Sequence, residues 1–269
     1  MKNLEDKIGI STACFYPELT EKAFDEICSL ELPVCEIFLN TQSETKIDFL
    51  KDIKLKAQDN NIKIASIHPF FSGYEPFLFF SEYGGRRIAD SIDLYKQFFE
   101  AAQFMNAEYV IFHGIAGRKM NFTIEEYSDR FLLIADEAKK YNCELLHENV
   151  NSINDYIQDL KKDIRFTLDF KHSVNWGYDI VETIKKMGEN IAHIHLNDMV
   201  FSEKTEKVKD CRLPFYGELN YKKIFDKLSD IDYIGNFIIE VYRHNYKNYT
   251  EISDSIGKFR NFLKNTEVR

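Results

Sequence analysis

Ile191-Ala192-His193-Ile194-His195-Leu196-Asn197 is an apolar, β-branched run broken at alternate positions by imidazoles. A short apolar run with polar residues behind it reads as a buried strand. Side chains alternate across a strand, so His193 and His195 share a face. The run is followed at once by Asp198. Seven more runs have the same shape: Lys7–Ala13, Val34–Phe38, Lys63–His68, Tyr109–His113, Glu144–Asn149, Arg165–Asp169 and Asn236–Val241.

Longer segments of helical period separate these runs. In Gly85–Met105, Ile88, Ile92, Tyr95, Phe99, Ala102 and Met105 fall on one face and charged residues on the other. Asp48–Asn60, Thr123–Tyr141, Ser152–Lys162, Tyr178–Met187, Tyr221–Ser229 and Tyr249–Lys264 are expected to be helices too. Thr20 is the expected N-cap of Glu21–Leu30, and Thr123 and Glu126 stand in capping-box spacing. Strand and helix thus alternate through a chain of 269 residues whose 5 prolines and 11 glycines form no linker. The expected fold is a single (β/α)8 TIM barrel, α/β in class, occupying 1–269 as one domain. An open doubly wound sheet ranks below it. The first run ends in Ser11-Thr12-Ala13, without the glycine-rich turn such sheets use to hold a dinucleotide.

Composition narrows the function. With 44% hydrophobic residues, mean hydropathy -0.38 and a net charge of -9, the chain folds around a large core and offers no broad basic surface for nucleic acid or anionic lipid. No run approaches the roughly 18 apolar residues of a membrane span. The N-terminal MKNLEDKIGIS carries acids where a signal peptide is apolar, and Cys14, Cys28, Cys35, Cys143 and Cys211 have no CxxC spacing. They read as reduced thiols in a cytoplasmic protein.

The chemistry of a barrel gathers where its strands end. Here those positions hold His68, His113, His147-Glu148-Asn149, Asp169 with His172 three residues on, His195 with Asp198, and Glu240. Buried carboxylates that converge without partners are costly, and a divalent cation is an economical partner. Imidazole nitrogen with carboxylate oxygen suits Zn, Mn, Co or Fe rather than Ca. A purely structural polar cluster is the competing reading. His195, nearer the strand end, is the better ligand, with His193 a layer below. If Glu148 points inward, His147 points toward the helices. His68 and His113 read as substrate-contacting or supporting groups, Asp198 as a support for His195 or a helix cap, and His244 as a solvated loop residue.

These motifs together make the chain resemble the xylose isomerase-like TIM barrels, the sugar phosphate isomerase/epimerase superfamily with the endonuclease IV-like fold. They are His68, the FHG of Phe112–Gly114, the HEN of His147–Asn149, the LDFKH of Leu168–His172, the HIHLND of His193–Asp198 and the IIE of Ile238–Glu240. The resemblance spans essentially the whole chain. It implies a divalent metal (Mn, Zn, Co or Mg) held by Glu148, Asp169, His195 and Glu240. It implies that Glu148 and Glu240 act as paired acid and base on opposite faces of the substrate, and that His172 and Arg212 contact substrate oxygens alongside His68 and His113. The activity implied is a sugar isomerase or epimerase moving a proton next to a carbonyl on a small-molecule carbohydrate. Three alternatives are an abasic-site endonuclease-like phosphodiesterase, a dehydratase acting on an inositol-type polyol, and a binding barrel without turnover. The nuclease branch needs a D-x-H pair, and here Asp210-Cys211-Arg212 puts Arg in place of His.

Two segments remain. Pro69–Tyr83 carries five phenylalanines and two tyrosines, and is expected to roof the active site or to form the contact of a homo-oligomer, with packing over the helix layer as the plain alternative. Lys204–Arg212 is basic and reads as a solvated loop, with anion binding the weaker reading.

Overall fold

The computed structural model describes residues 4–267, apart from 82, 84, 116–121 and 203–207. Eight parallel strands close into a barrel. They are β1 (Ile8–Ser11), β2 (Val34–Phe38), β3 (Lys63–His68), β4 (Tyr109–Phe112), β5 (Glu144–Glu148), β6 (Phe166–Asp169), β7 (Ile191–Leu196) and, after a hairpin, β10 (Asn236–Ile239). The hairpin pairs β8 (Asp198–Phe201) with β9 (Val208–Arg212), antiparallel, directly behind β7. The stretch expected to be a loop, Lys204–Arg212, is strand instead over Val208–Arg212. Its 204–207 portion lies outside the described residues.

Among the described residues, seven helices fall on segments expected from their period, and two short ones, Glu75–Leu78 and Phe170–Asn175, add to them. They are α1 (Thr20–Ser29), α2 (Ile47–Asp59), the single turn α3 (Glu75–Leu78), α4 (Gly85–Met105), α5 (Ile124–Lys139), α6 (Phe170–Asn175), α7 (Ile180–Met187), α8 (Tyr221–Asp230) and α9 (Tyr249–Glu267). In α4, Tyr95, Phe99, Ala102 and Met105 are buried as expected, and Ile88 and Ile92 half-buried. Helix α5 starts with the expected capping box: Glu126 N donates to Thr123 Oγ1 (3.1 Å) and Thr123 N to Glu126 Oε2 (2.8 Å).

Two expectations fail locally. Thr20 is the first residue of α1 rather than its cap, because its hydroxyl donates instead to Glu44 Oε2, 3.1 Å away. Ser152–Lys162 is not an α-helix but lies across two short 3₁₀ turns, Asn151–Asp155 and Ile157–Asp159. The buried apolar residues of this stretch, Ile153, Ile157 and Leu160, suit turns of three to four residues as well as a continuous helix.

The run Pro69–Tyr83 divides its aromatics. Phe79 and Phe80 are buried, Phe79 edge-on to Tyr95 and Phe80 stacked on Tyr127, so this part packs over the helices. Tyr74, Phe77 and Tyr83 stay exposed. Inside the barrel the backbones approach closely at Gly9, where a Cβ would stand 2.6 Å from Val34 O.

Candidate active site

The strand order β10-β7-β6-β5 puts four neighbouring strand ends along one side of the mouth. Register then does the positioning. Asp169 lies opposite His195 across β6 and β7, and Ile238 lies opposite His195 across β7 and β10. Glu240 follows β10 directly, with its N–H on Leu196 O at 3.1 Å. Glu148 closes β5. One ligand-capable atom from each of Glu148, Asp169, His195 and Glu240 lies within 4.8 Å of the others. Glu148, Asp169 and His195 are all at most 1% exposed.

His195 is the hub. Its Nδ1 stands 2.6 Å from Glu148 Oε1 and 3.3 Å from Glu240 Oε2, and its Nε2 stands 3.1 Å from Glu36 Oε2. Glu148 Oε2 meets His113 Nε2 at 2.6 Å, and that nitrogen lies 3.2 Å from His68 Nε2. His68, His113 and Glu148 form a second group able to share a cation. Burial pushes the His195 imidazole down, but Glu240, Glu36 and Glu148 outweigh it and hold the ring charged well above the ordinary histidine range. Burial pushes the two glutamates up; His113 and His195 pull Glu148 well below the usual carboxylate range, and His195 chiefly brings Glu240 to about 2. Burial and His113 lower His68.

The donor set fits a divalent cation. No hydrogen bond reaches Asp169 Oδ2, although it is fully buried, and its nearest cation is Lys171 Nζ at 3.1 Å. A buried carboxylate oxygen without a donor, with further carboxylates and an imidazole nitrogen beside it, is what such an ion satisfies.

The remaining expected residues are placed as follows. His172, half-buried on α6, reaches Asp169 Oδ2 at 3.8 Å and faces His113 with ring centroids 6.3 Å apart. Arg212, at the end of β9, pairs with Asp210 on its own strand. His147 does point outward, to the Tyr127 hydroxyl on α5, and burial lowers it to about 4. His193 sits a layer beneath His195, with Nε2 3.3 Å from Ser66 Oγ. Asp198 neither supports His195 nor caps a helix: its carboxylate accepts the N–H groups of Met199 (2.8 Å), Gly217 (3.0 Å) and Leu219 (3.0 Å), tying the hairpin to the loop before α8. His244 is exposed and stacks on Tyr242.

The sequence reading missed two residues of this site. Glu36 is a fully buried carboxylate in mid-strand, and a lone acid in the apolar run Val34–Phe38 was the available signal. Lys171, inside the quoted LDFKH motif, turns its ammonium into the mouth toward Asp169 and Glu240 (3.8 Å). Burial lowers its basicity, but those two carboxylates hold it well above the usual lysine range.

Residues 24–264 match the family described as "Xylose isomerase-like TIM barrel". The chain belongs to this family. An inosose dehydratase of Clostridium perfringens is 30% identical over 101 residues, covering 32% of this chain and 34% of that protein, so the chain matches only about a third of that relative's length. Among solved structures, a D-tagatose 3-epimerase-like protein superposes with a TM-score of 0.75 at 19% identity, covering 98% of this chain and 100% of the other. A D-psicose 3-epimerase from Clostridium cellulolyticum H10, crystallised with D-tagatose, gives 0.75 at 14% identity over 96% and 98%. The IOLI protein, crystallised with a zinc atom, gives 0.72 at 16% identity over 94% and 95%. At these identities the structural matches establish the fold alone. Among the described residues no helix is long and apolar enough to cross a membrane.

Proposed function

We propose that the chain is a metal-dependent isomerase or epimerase of a sugar or sugar derivative, acting by proton transfer next to a carbonyl. The observation that carries this reading is the convergence of Glu148, Asp169, His195 and Glu240 within 4.8 Å at the barrel mouth. These four residues would hold one divalent ion. When bound, that ion polarises the substrate carbonyl and stabilises the enediolate oxygen.

The chain's own groups do the rest. Glu148 and Glu240 come from β5 and β10, with β6 and β7 between them, and approach His195 Nδ1 from separate strands. One glutamate takes the proton from carbon and the other returns a proton, to the same carbon for epimerisation or to its neighbour for isomerisation. A coordinated carboxylate is a weak base, so carbonyl polarisation must lower the C–H acidity barrier by more than coordination weakens the glutamate. His113 stands beside Glu148 Oε2 as a proton partner, and His195, with Lys171 as the lesser cause, keeps Glu240 ionised. His68, His113, His172 and Arg212 are assigned to substrate oxygens.

The experiment is deuterium incorporation at carbon from D₂O with Mn²⁺ and a panel of ketoses. Exchange that disappears in Glu148→Gln and in Glu240→Gln supports the proposal, and near-normal activity in either variant refutes the two-glutamate mechanism. A second reading, loss of water from a cyclic polyol, is favoured by the likeness to inosose dehydratase over 101 residues. It predicts dehydration of inosose in the same assay without ketose exchange. The phosphodiesterase reading is disfavoured because Arg212 stands where a ligating His is needed and is engaged by Asp210.

A further inference from the structure

Beneath the mouth lies a carboxylate that the proposed reaction leaves without a role. Glu36 is 0% exposed on β2. A register shift between β2 and β3 sets Ser66 opposite it, and Ser66 Oγ donates to Glu36 Oε2 at 2.8 Å. The same oxygen lies 3.1 Å from His195 Nε2 and 3.7 Å from His193 Nε2. Glu36 Oε1 and His193 Nδ1 receive no hydrogen bond. No lysine or arginine of the described residues forms an ion pair with Glu36. Among the described residues, the partners of this buried carboxylate are therefore two imidazoles and one hydroxyl, and these offset its desolvation.

We propose that Glu36 is the positioning residue of His195. Glu36 Oε2, itself fixed by Ser66, accepts the Nε2–H of His195. That bond fixes both the ring plane and the tautomer, so the Nδ1 lone pair is the one presented to the cation shared with Glu148, Asp169 and Glu240. A histidine free to present either nitrogen would spend part of its population with N–H facing that cation. Carboxylate support behind a ligating imidazole typically alters metal affinity by about 10- to 100-fold. This inference rests on the four-residue site proposed above.

The test is metal titration of the chelator-stripped full chain with Zn²⁺, alongside ¹⁵N-histidine NMR of the zinc-loaded form. The parent is expected to take up one equivalent, with His195 metal-bound through Nδ1 and protonated at Nε2. Glu36→Gln, which keeps an acceptor but loses the charge, is expected to bind about 10- to 100-fold more weakly. Ser66→Ala, which frees the carboxylate to turn without touching His195, is expected to show a smaller loss and keeps the proposal testable if Glu36→Gln does not fold. Unchanged affinity in a folded Glu36→Gln, or Nε2 bound to zinc in the parent, overturns the positioning role. So does a second equivalent in the parent that Glu36→Gln alone removes, since Glu36 would then be a ligand with His193 and His195. No uptake by the parent instead overturns the four-residue site itself.

Discussion

Replacing Lys171 with methionine separates a tethered cation from a bound one. The Lys171 ammonium stands 3.1 Å from Asp169 Oδ2 and 3.8 Å from Glu240 Oε2, with a side chain only 9% exposed. At an effective dielectric near 20 the two attractions amount to roughly 5 and 4 kcal/mol before desolvation. Removing one partner of a buried ion pair costs about 3–5 kcal/mol net. The metal-free Lys171→Met chain should therefore be about 3 kcal/mol less stable than the parent. A chain of this size loses about 2–4 °C of Tm per kcal/mol, so the expected drop is about 6–12 °C.

With a divalent ion on the same carboxylates, their charge is already met and the ammonium faces a like charge. The loss should then shrink to about 1 kcal/mol. By linkage, the difference of about 2 kcal/mol appears as roughly 30-fold tighter metal binding in Lys171→Met. Thermal unfolding with and without Mn²⁺, together with direct titration, measures both sides of the cycle. Equal destabilisation in the two states, or weaker binding in the variant, would refute the idea that lysine and metal share Asp169 and Glu240.

Three other outcomes follow from the same geometry. Glu148→Gln and Glu240→Gln should each lower kcat by about 10²–10⁴-fold with far-UV circular dichroism unchanged. Tyr127→Phe leaves buried His147 Nε2 without its partner and should cost about 1–3 kcal/mol in urea unfolding, with kinetics unaltered because that ring faces α5. Glu240 has its carboxyl lowered from 4.5 to about 2, so its stabilising contribution is complete above pH 4.5 and is lost as the pH falls toward 2. The metal-free Glu240→Gln chain should accordingly show a shallower decline of Tm across that interval than the parent, and parallel curves would contradict the assignment.

The alternation of strand and helix was plain in the sequence because each element keeps its own period. Val34–Phe38, Lys63–His68 and Gly85–Met105 have the bounds that the pattern gives. The ends of strands were legible too, since polar residues stop an apolar run, and Glu148, Asp169, His195 and Glu240 do converge there. What stayed hidden depends on register and on side-chain direction. Nothing local tells that Glu36 and Ser66 face one another; that follows from a shift in the pairing of β2 with β3. Lys171 stands in the sequence as one letter of LDFKH with no pattern to give its direction, and the first turn of α6 brings its ammonium to Asp169. The two short turns at Asn151–Asp155 and Ile157–Asp159 imitate helical spacing for too few residues to be told apart from a helix.

Anomalous diffraction at the manganese edge, from crystals of the chain grown with Mn²⁺, addresses the four-residue site without reference to any substrate. The account predicts one strong peak bonded jointly by Glu148, Asp169, His195 and Glu240, and its disappearance in Asp169→Ala. A peak held by other residues, or none at saturating Mn²⁺, would contradict it.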